Sequence, residues 1–248
     1  MELTGAIVLV TGASGGIGRA TAAALAGAGA HVVCAGRDAA ATAEVAAGVG
    51  GTALTADLRS PDAAGELVER TVAGHGRLNA VVVNAGVGHA GPVAEMSAER
   101  IAELVDVNVR AAFLLARAAA AAMTGPGAIV FVSSIAGAVG VPGESVYSAT
   151  KAALEAFAPL LGEELRPRRV SVSTVLPGVV DTEFFARRGA PYNRRFPRPI
   201  RPERVADVVV RSMRDGKARR IEPRWLEIPA RLSAAAPRTY RALARRFG

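Results

Sequence analysis

The stretch Tyr147-Ser148-Ala149-Thr150-Lys151 sets a phenol and an ammonium four residues apart, and on a helix that interval stacks them on one face. Such a pair is an acid/base of adjustable strength. A free phenol titrates near about 10, so cycling its proton close to neutral pH needs a drop of roughly 2–3 pH units, on the order of 3–4 kcal/mol. A positive charge about 4 Å away supplies on the order of 4 kcal/mol at an effective dielectric of ~20, so one lysine suffices when water is kept out. The plainer alternative is a surface Tyr/Lys pair. Composition argues against it: of 30 basic residues only Lys151 and Lys217 are lysines. A lysine kept in so arginine-rich a chain marks a place where a compact ammonium, set between a phenol and sugar hydroxyls, is needed and a wide guanidinium is not.

Elements that would position this pair can be read from the N-terminus onward. Ala6 to Val10 is an apolar run that stops at Thr11-Gly12-Ala13-Ser14-Gly15-Gly16-Ile17-Gly18 and passes into the alanine-rich stretch Arg19 to Ala28. Strand, glycine turn and helix in that order form a cradle for a pyrophosphate, because glycine lets the backbone approach closely and the helix start offers free N–H groups. Thr11, Gly12, Ser14, Gly16, Ile17 and Gly18 are its candidate residues. A second strand, His31 to Ala35, ends at Gly36-Arg37-Asp38. An acidic residue there suits a ribose 2′-hydroxyl and an arginine suits a 2′-phosphate. Arg37 leaves the strand first and Asp38 can serve as the N-cap of the next helix, Ala39 to Ala47, so NADP(H) is favoured over NAD(H).

A third strand, Gly51 to Ala56, ends at Asp57-Leu58, where Asp57 is either an adenine contact or a turn residue. Leu78 to Val83 is a fourth strand, closing on Asn84-Ala85-Gly86, and Ala128 to Val132 a fifth, followed by Ser133-Ser134. Ligands bind at the carboxyl ends of such strands. Between the last two strands lies the helical stretch Ser97 to Met123, in which Asn108 sits among apolar neighbours. It marks either a kink satisfied by backbone groups or a functional amide. The alternation predicts an α/β, Rossmann-type doubly wound parallel sheet in one domain.

In this order the residues resemble the short-chain dehydrogenase/reductase family, classical type, from about Leu3 to Ser212. The resemblance rests on Thr11-Gly12-x-x-x-Gly16-x-Gly18, Asp57, Asn84-Ala85-Gly86, Asn108, Ser134, Tyr147-x-x-x-Lys151 and Pro177-Gly178-x-x-x-Thr182. It implies Tyr147 as general acid/base, Ser134 on the substrate oxygen, and Lys151 on the nicotinamide ribose, lowering the proton affinity of Tyr147. Asn108 would seat a water linking Lys151 to solvent. Pro177, Gly178, Val180 and Thr182 would pass the nicotinamide, with Thr182 on its carboxamide. Val83 departs from the family pattern just before Asn84, and the chain runs on past the usual end.

The expected function is NADP(H)-dependent interconversion of a ketone or 3-oxoacyl-type carbonyl and a secondary alcohol, possible substrates including an acyl thioester. The alternative is a catalytically silent dinucleotide-binding sensor or scaffold. Residues 183–201 form the expected substrate lid, with Phe184, Phe185, Tyr192 and Phe196 beside six arginines. The domain spans 1–222 and an extension 223–248. There Pro229 and Pro237 open two short helices, the second basic and amphipathic through Tyr240, Leu243, Ala244 and Phe247, with Arg238, Arg241, Arg245 and Arg246 elsewhere on its surface. Its expected placements are its own domain, a second subunit of a homodimer or homotetramer, or, peripherally, an anionic membrane.

Net charge is +8, split −4 through Thr150 and +12 beyond. Without interleaved stacking aromatics this predicts no nucleic-acid partner. No metal site is expected. The single Cys34 excludes an internal disulfide, and the chain shows no basic leader or long apolar span, so the expected location is cytoplasmic.

Overall fold

In the computed structural model, which describes residues 1–247 and side chains through Ala244, seven strands form one parallel sheet in the order β3-β2-β1-β4-β5-β6-β7. Of the amphipathic tail pattern, the Arg245, Arg246 and Phe247 side chains lie outside the described residues, as does Gly248. The strands are β1 Ile7–Thr11, β2 His31–Gly36, β3 Thr52–Thr55, β4 Ala80–Val83, β5 Gly127–Val132, β6 Val170–Pro177 and β7 Arg219–Glu222. Beginning at β1, the chain builds one half of the sheet, then crosses over to β4 and builds the other. The crevice falls where that order reverses.

Helices cover both faces, which is why the central strands read as unbroken apolar runs. On one face α1 (Gly16–Gly27) and α9 (Pro202–Asp215) bury Leu25, Val205, Val209 and Met213 against Val8, Val10, Val82 and Val130. On the other, α3 (Ala63–His75), α5 (Ala111–Ala122) and α7 (Ser145–Leu165) bury Leu67, Leu115 and Leu154 against Leu9, Val81, Ile129 and Phe131. Phe131 is fully buried, and truncation of such a side chain to alanine costs about 3–5 kcal/mol. Helix α2 (Ala39–Gly48) lies beside β2 and β3, and Asp38 caps it by accepting from Ala41 N at 3.0 Å.

The stretch expected as one helix from Ser97 to Met123 is divided. Helix α4 (Ala98–Val105) passes through a π turn, Asp106–Arg110, into α5. Asn108 sits in that turn, buried, and spends its amide on neighbours: Val87 N donates to Oδ1 at 2.8 Å, and Nδ2 donates to Val87 O at 2.9 Å and Thr150 Oγ1 at 3.0 Å. Such single-turn π insertions occur where a functional side chain must be re-aimed.

Past β5 comes the short α6 (Ile135–Val139); past β6 comes α8 (Phe184–Arg187), the start of the expected lid. The neck of that segment is pinned. Val180 pairs with Ile200 in an isolated bridge, Ile200 N donates to Val179 O at 2.9 Å, and Asp181 N donates to Ile200 O at 2.9 Å. The extension forms α10 (Glu227–Ala235), with Pro229 in its first turn, and α11 (Pro237–Phe247). Leu226 and Ala230 join Leu176 and Ile221 in a buried cluster against Ile135, Ala138 and Val139, so α10 lies on its own domain. Among the described residues no helix is long and apolar enough to cross a membrane.

Candidate active site

A cleft of about 1820 Å3 opens along the carboxyl ends of the strands, running from Arg37 and Asp57 past the glycine turn to Tyr147 and residues 184–197. Its floor at one end is the β1–α1 turn. Gly12 has φ +65°, a conformation side chains resist, and a Cβ there would lie 2.9 Å from Asn84 Nδ2. A Cβ on Gly18 would press on the Gly12 carbonyl and lie 2.7 Å from the same amide. Gly18 is therefore buried behind the cradle, shaping it without lining it. Thr11, Gly12, Ser14, Gly16 and Ile17 do line it. Helix α1 follows Gly15 at its N-cap, with no side-chain cap and no acidic residue in its first turn. Its free N–H groups and positive dipole end suit a pyrophosphate.

The loop after β4 is locked to this turn: Asn84 Nδ2 donates to Thr11 O at 2.9 Å, and Thr11 Oγ1 accepts from Asn84 N at 3.1 Å and Ala85 N at 3.2 Å. Ala85 and Gly86 form the adjacent wall. At the adenosine end, Arg37 emerges from β2 exposed, while Asp38 turns its carboxylate to the helix cap. Asp57 is held as a turn residue. It accepts from Arg59 N at 3.0 Å and from Arg59 Nε at 2.9 Å, and that guanidinium keeps its carboxyl below the usual carboxylate range. Leu58 lines the cleft beside it.

At the other end, β5 delivers Ser133 and Ser134 to different tasks. Ser133 is buried and donates from Oγ to Lys151 O at 3.0 Å. Ser134 lines the cleft and caps α6, its Oγ accepting from Ala136 N at 3.1 Å, which leaves its O–H to donate toward the Tyr147 phenol or a ligand oxygen. Helix α7 presents Tyr147 and Lys151 one turn apart, both buried. Lys151 Nζ donates to Val132 O at 3.0 Å. A Cβ on Gly86 would come within 3.3 Å of that ammonium and 3.2 Å of Asn108 Oδ1. Two N–H bonds of Lys151 thus remain for hydroxyls entering beside Gly86.

Electrostatics here differ from the expectation that Lys151 simply lowers the phenol. Nζ lies 5.9 Å from the Tyr147 ring centroid and is committed to Val132. Burial dominates both groups: it pushes Tyr147 up to about 12, opposed by the Ser134 hydroxyl, and pulls Lys151 down to about 8. Nor does Asn108 line the cleft. Its amide is filled by Val87 and Thr150, which is the kink satisfied by backbone groups together with one hydroxyl.

Pro177 and Gly178 end β6 at the cleft, where Gly178 N donates to Glu222 O at 2.7 Å. Val180 is buried at the lid neck, and Thr182 Oγ1 accepts from Phe184 N at 3.3 Å. Phe184, Phe185 and Tyr192 then form an aromatic row, with centroids 5.7 and 5.3 Å apart, beginning 5.5 Å from the Tyr147 ring. Sequence reasoning missed Glu144, Arg59 and the Val132 carbonyl as parts of this wall, and saw Arg188 only as one lid arginine. Among the described residues no group of three or more His, Cys, Asp or Glu gathers for a metal.

The sequence profile of the short chain dehydrogenase family matches residues 6–193. The chain belongs to the short-chain dehydrogenase family. It is 41% identical over 188 residues to an uncharacterized oxidoreductase of Methylorubrum extorquens, covering 73% of this chain and 76% of the relative. It is 34% identical over 190 residues to a 3-oxoacyl-[acyl-carrier-protein] reductase of Synechocystis, covering 73% and 77%. A short chain dehydrogenase of Burkholderia cenocepacia, solved in complex with NADP, superposes with a TM-score of 0.77 at 32% identity, covering 86% of this chain and 91% of that one. Within the short-chain dehydrogenase frame, the cleft joins an anion cradle to a buried phenol, ammonium and hydroxyl.

Proposed function

We propose that the protein is an NADP(H)-dependent oxidoreductase that interconverts a ketone or 3-oxoacyl-type carbonyl and its secondary alcohol. The observation that carries this reading is the convergence of Ser134, Tyr147 and Lys151 on one continuous cleft with the Gly12–Gly18 turn. The cleft fits a dinucleotide by its own chemistry. The uncapped α1 start takes the pyrophosphate, Lys151 has two unspent N–H bonds for ribose hydroxyls, and the glycine-bare wall at Gly86 lets a flat ring approach.

A bound nicotinamide supplies the hydride, which no side chain can provide. The chain's own residues do the rest. Ser134 donates its O–H to the carbonyl oxygen and orients it. As hydride reaches the carbonyl carbon, Tyr147 gives its proton to the oxygen, stabilising the charge that develops there; in the reverse direction the same phenol must be ionised to accept it. Lys151, held by Val132, keeps a positive charge on the cofactor side of the phenol. Asn108 fixes the Val87 loop that forms the pocket's back wall.

For the cofactor, the reading rests on Arg37 and on Asp38 being spent as an N-cap, with Arg59 beside it. The Burkholderia cenocepacia relative was solved with NADP and other similar structures with NAD or NADH, so the preference for NADP(H) rests on Arg37 and Asp38. Cytoplasmic location and a homodimer or homotetramer belong to this proposal too. Cys34, buried in β2 with its thiol pushed up to about 11, is an unreactive core thiol.

Turnover tests it. A panel of acyl thioesters and free ketones, followed by nicotinamide absorbance with NADPH and NADH, is expected to give reduction that Tyr147→Phe abolishes while cofactor binding persists. Binding without turnover across the panel would leave a dinucleotide sensor in its place.

A further inference from the structure

Beside Tyr147 the cleft holds an ion pair that the proton and hydride steps do not use. Arg188 directly follows α8 in the lid, and Glu144 directly precedes α7, three residues before Tyr147. They pair, and both side chains are nearly buried, 10% and 13% exposed. The Arg188 guanidinium also lies 4.6 Å from the Phe185 ring centroid, its Nε donates to Ala190 O at 3.2 Å, and its main-chain carbonyl accepts from Ala90 N at 3.2 Å. One residue thus ties the lid to the catalytic helix and to the loop after β4. Apolar side chains of Val87, Val141, Phe184, Phe185 and Tyr192 line the cleft beside this pair.

We propose that Arg188 and Glu144 are a positioning pair that seats the lid on the catalytic helix and, by cancelling each other's charge beside Tyr147, makes the pocket select an uncharged carbonyl compound over one carrying a carboxylate. This rests on the reading of Tyr147 as the acid/base. An arginine already paired has no free fork of donors to offer a substrate carboxylate, and Glu144 cancels the charge that would draw one in. Breaking the pair strands a buried charge. Glu144 alone raises the proton affinity of Tyr147, and Arg188 alone lowers it. Other charged groups lining this cleft include Lys151 on α7, Arg100 and Glu103 of α4, which are bound to each other, and Asp181, Glu183, Arg187 and Arg194 around the lid, of which Glu183 and Arg187 are paired.

The test compares wild type, Arg188→Ala, Arg188→Lys and Glu144→Gln on a keto acid and its methyl ester. It adds a readout that needs no turnover: Trp225, the only tryptophan, stacks on Phe196 of the lid at 5.2 Å, so acrylamide quenching of its emission reports lid seating. Arg188→Ala is expected to raise KM for the ester roughly tenfold with a smaller change in kcat, to move the alkaline fall of kcat/KM to higher pH, and to increase quenching, with Arg188→Lys restoring most of each. Glu144→Gln is expected to move that fall to lower pH and to narrow the ester-over-acid preference about tenfold. A folded Arg188→Ala protein with wild-type KM, pH profile and quenching overturns the proposal, as does an unchanged ester-to-acid ratio in Glu144→Gln. If Arg188→Ala does not fold, the isosteric Glu144→Gln decides. If wild type turns over nothing, the reading of Tyr147 fails on its own, and unchanged quenching in folded variants would still be needed to unseat the pair.

Discussion

Lys151 reaches back across the sheet to the last residue of β5, its Nζ donating to the Val132 carbonyl at 3.0 Å. The ammonium is thereby fixed in place but deprived of water, and burial pulls it down to about 8. Folding therefore weakens its grip on a proton. Between about pH 8 and the ordinary lysine value of 10.5 the unfolded chain binds more protons, and this group makes stability rise with pH across that window. Tyr147 acts oppositely: with the phenol pushed up to about 12, stability falls as pH climbs from 10 toward 12.

Lys151→Met should consequently stabilise the protein at pH 7 while stopping turnover. Removing the buried charge gives back on the order of 3 kcal/mol, and the orphaned Val132 carbonyl takes about 1–2 of it. Urea midpoints at pH 7 and pH 9.5 check this. The variant should lead at pH 7 and lose most of its lead at the higher pH; a lower midpoint at pH 7 would contradict the sign.

Tyr147→Phe keeps the ring that packs against Phe184 and removes only the proton. A loss of at least about 10²–10⁴ in kcat is expected, with the dissociation constant for NADPH unchanged within a few-fold. Single-turnover measurement with saturating cofactor separates the two quantities.

Cofactor choice should divide between two adjacent residues. Arg37→Ala is expected to weaken NADPH binding about 10- to 150-fold and leave NADH nearly untouched, the loss of one charge-assisted phosphate contact. Asp38→Ala should leave the NADPH/NADH ratio alone and cost about 1 kcal/mol of stability, because its carboxylate caps α2 at Ala41 N. Titration calorimetry with both nucleotides gives the ratio directly.

Asn108→Ala is expected to act on the frame before the chemistry. It removes both hydrogen bonds to Val87 and the one to Thr150, so a stability loss of about 2–4 kcal/mol should accompany a fall in kcat. Asn108→Asp, which keeps the acceptor for Val87 N, should recover part of the stability and little of the donor-dependent remainder.

Truncation should distinguish the two tail helices. Ending the chain before Ala236 removes α11 and leaves the Leu176–Ile221–Leu226–Ala230 cluster intact, so cofactor binding should persist. Ending it before Pro223 strips the cover from Leu176 and Ile221 and should lower the melting temperature by several degrees or more. A solution mass and NADPH affinity for each form supply the comparison.

Local signals made much of this legible. Apolar runs, glycine turns and the Tyr147–Lys151 interval are short-range patterns, and the strands they predicted lie within one or two residues of those observed, β1 shifting to include Thr11 because Thr11 pairs with Ala35. What periodicity does not carry is a single inserted residue: the π turn at Asn108 leaves the apolar spacing on either side looking continuous. The Glu144–Arg188 pair was illegible for another reason. Its members stand 44 residues apart and meet only because β6 returns the chain to the same edge of the cleft. Among so many arginines, nothing in sequence marks Arg188 as the buried one.

The pairing of Val8 with Ala80 sets a timetable for the newborn chain. The centre of the sheet cannot close until β4 has left the ribosome, and the cleft draws on residues from Thr11 to Asp207. At roughly 5–20 residues per second that span takes on the order of 10–40 seconds to synthesise. For much of that interval the N-terminal strands carry a glycine turn without its phenol, and the cleft gains its remaining walls only after residues 177–207 have followed.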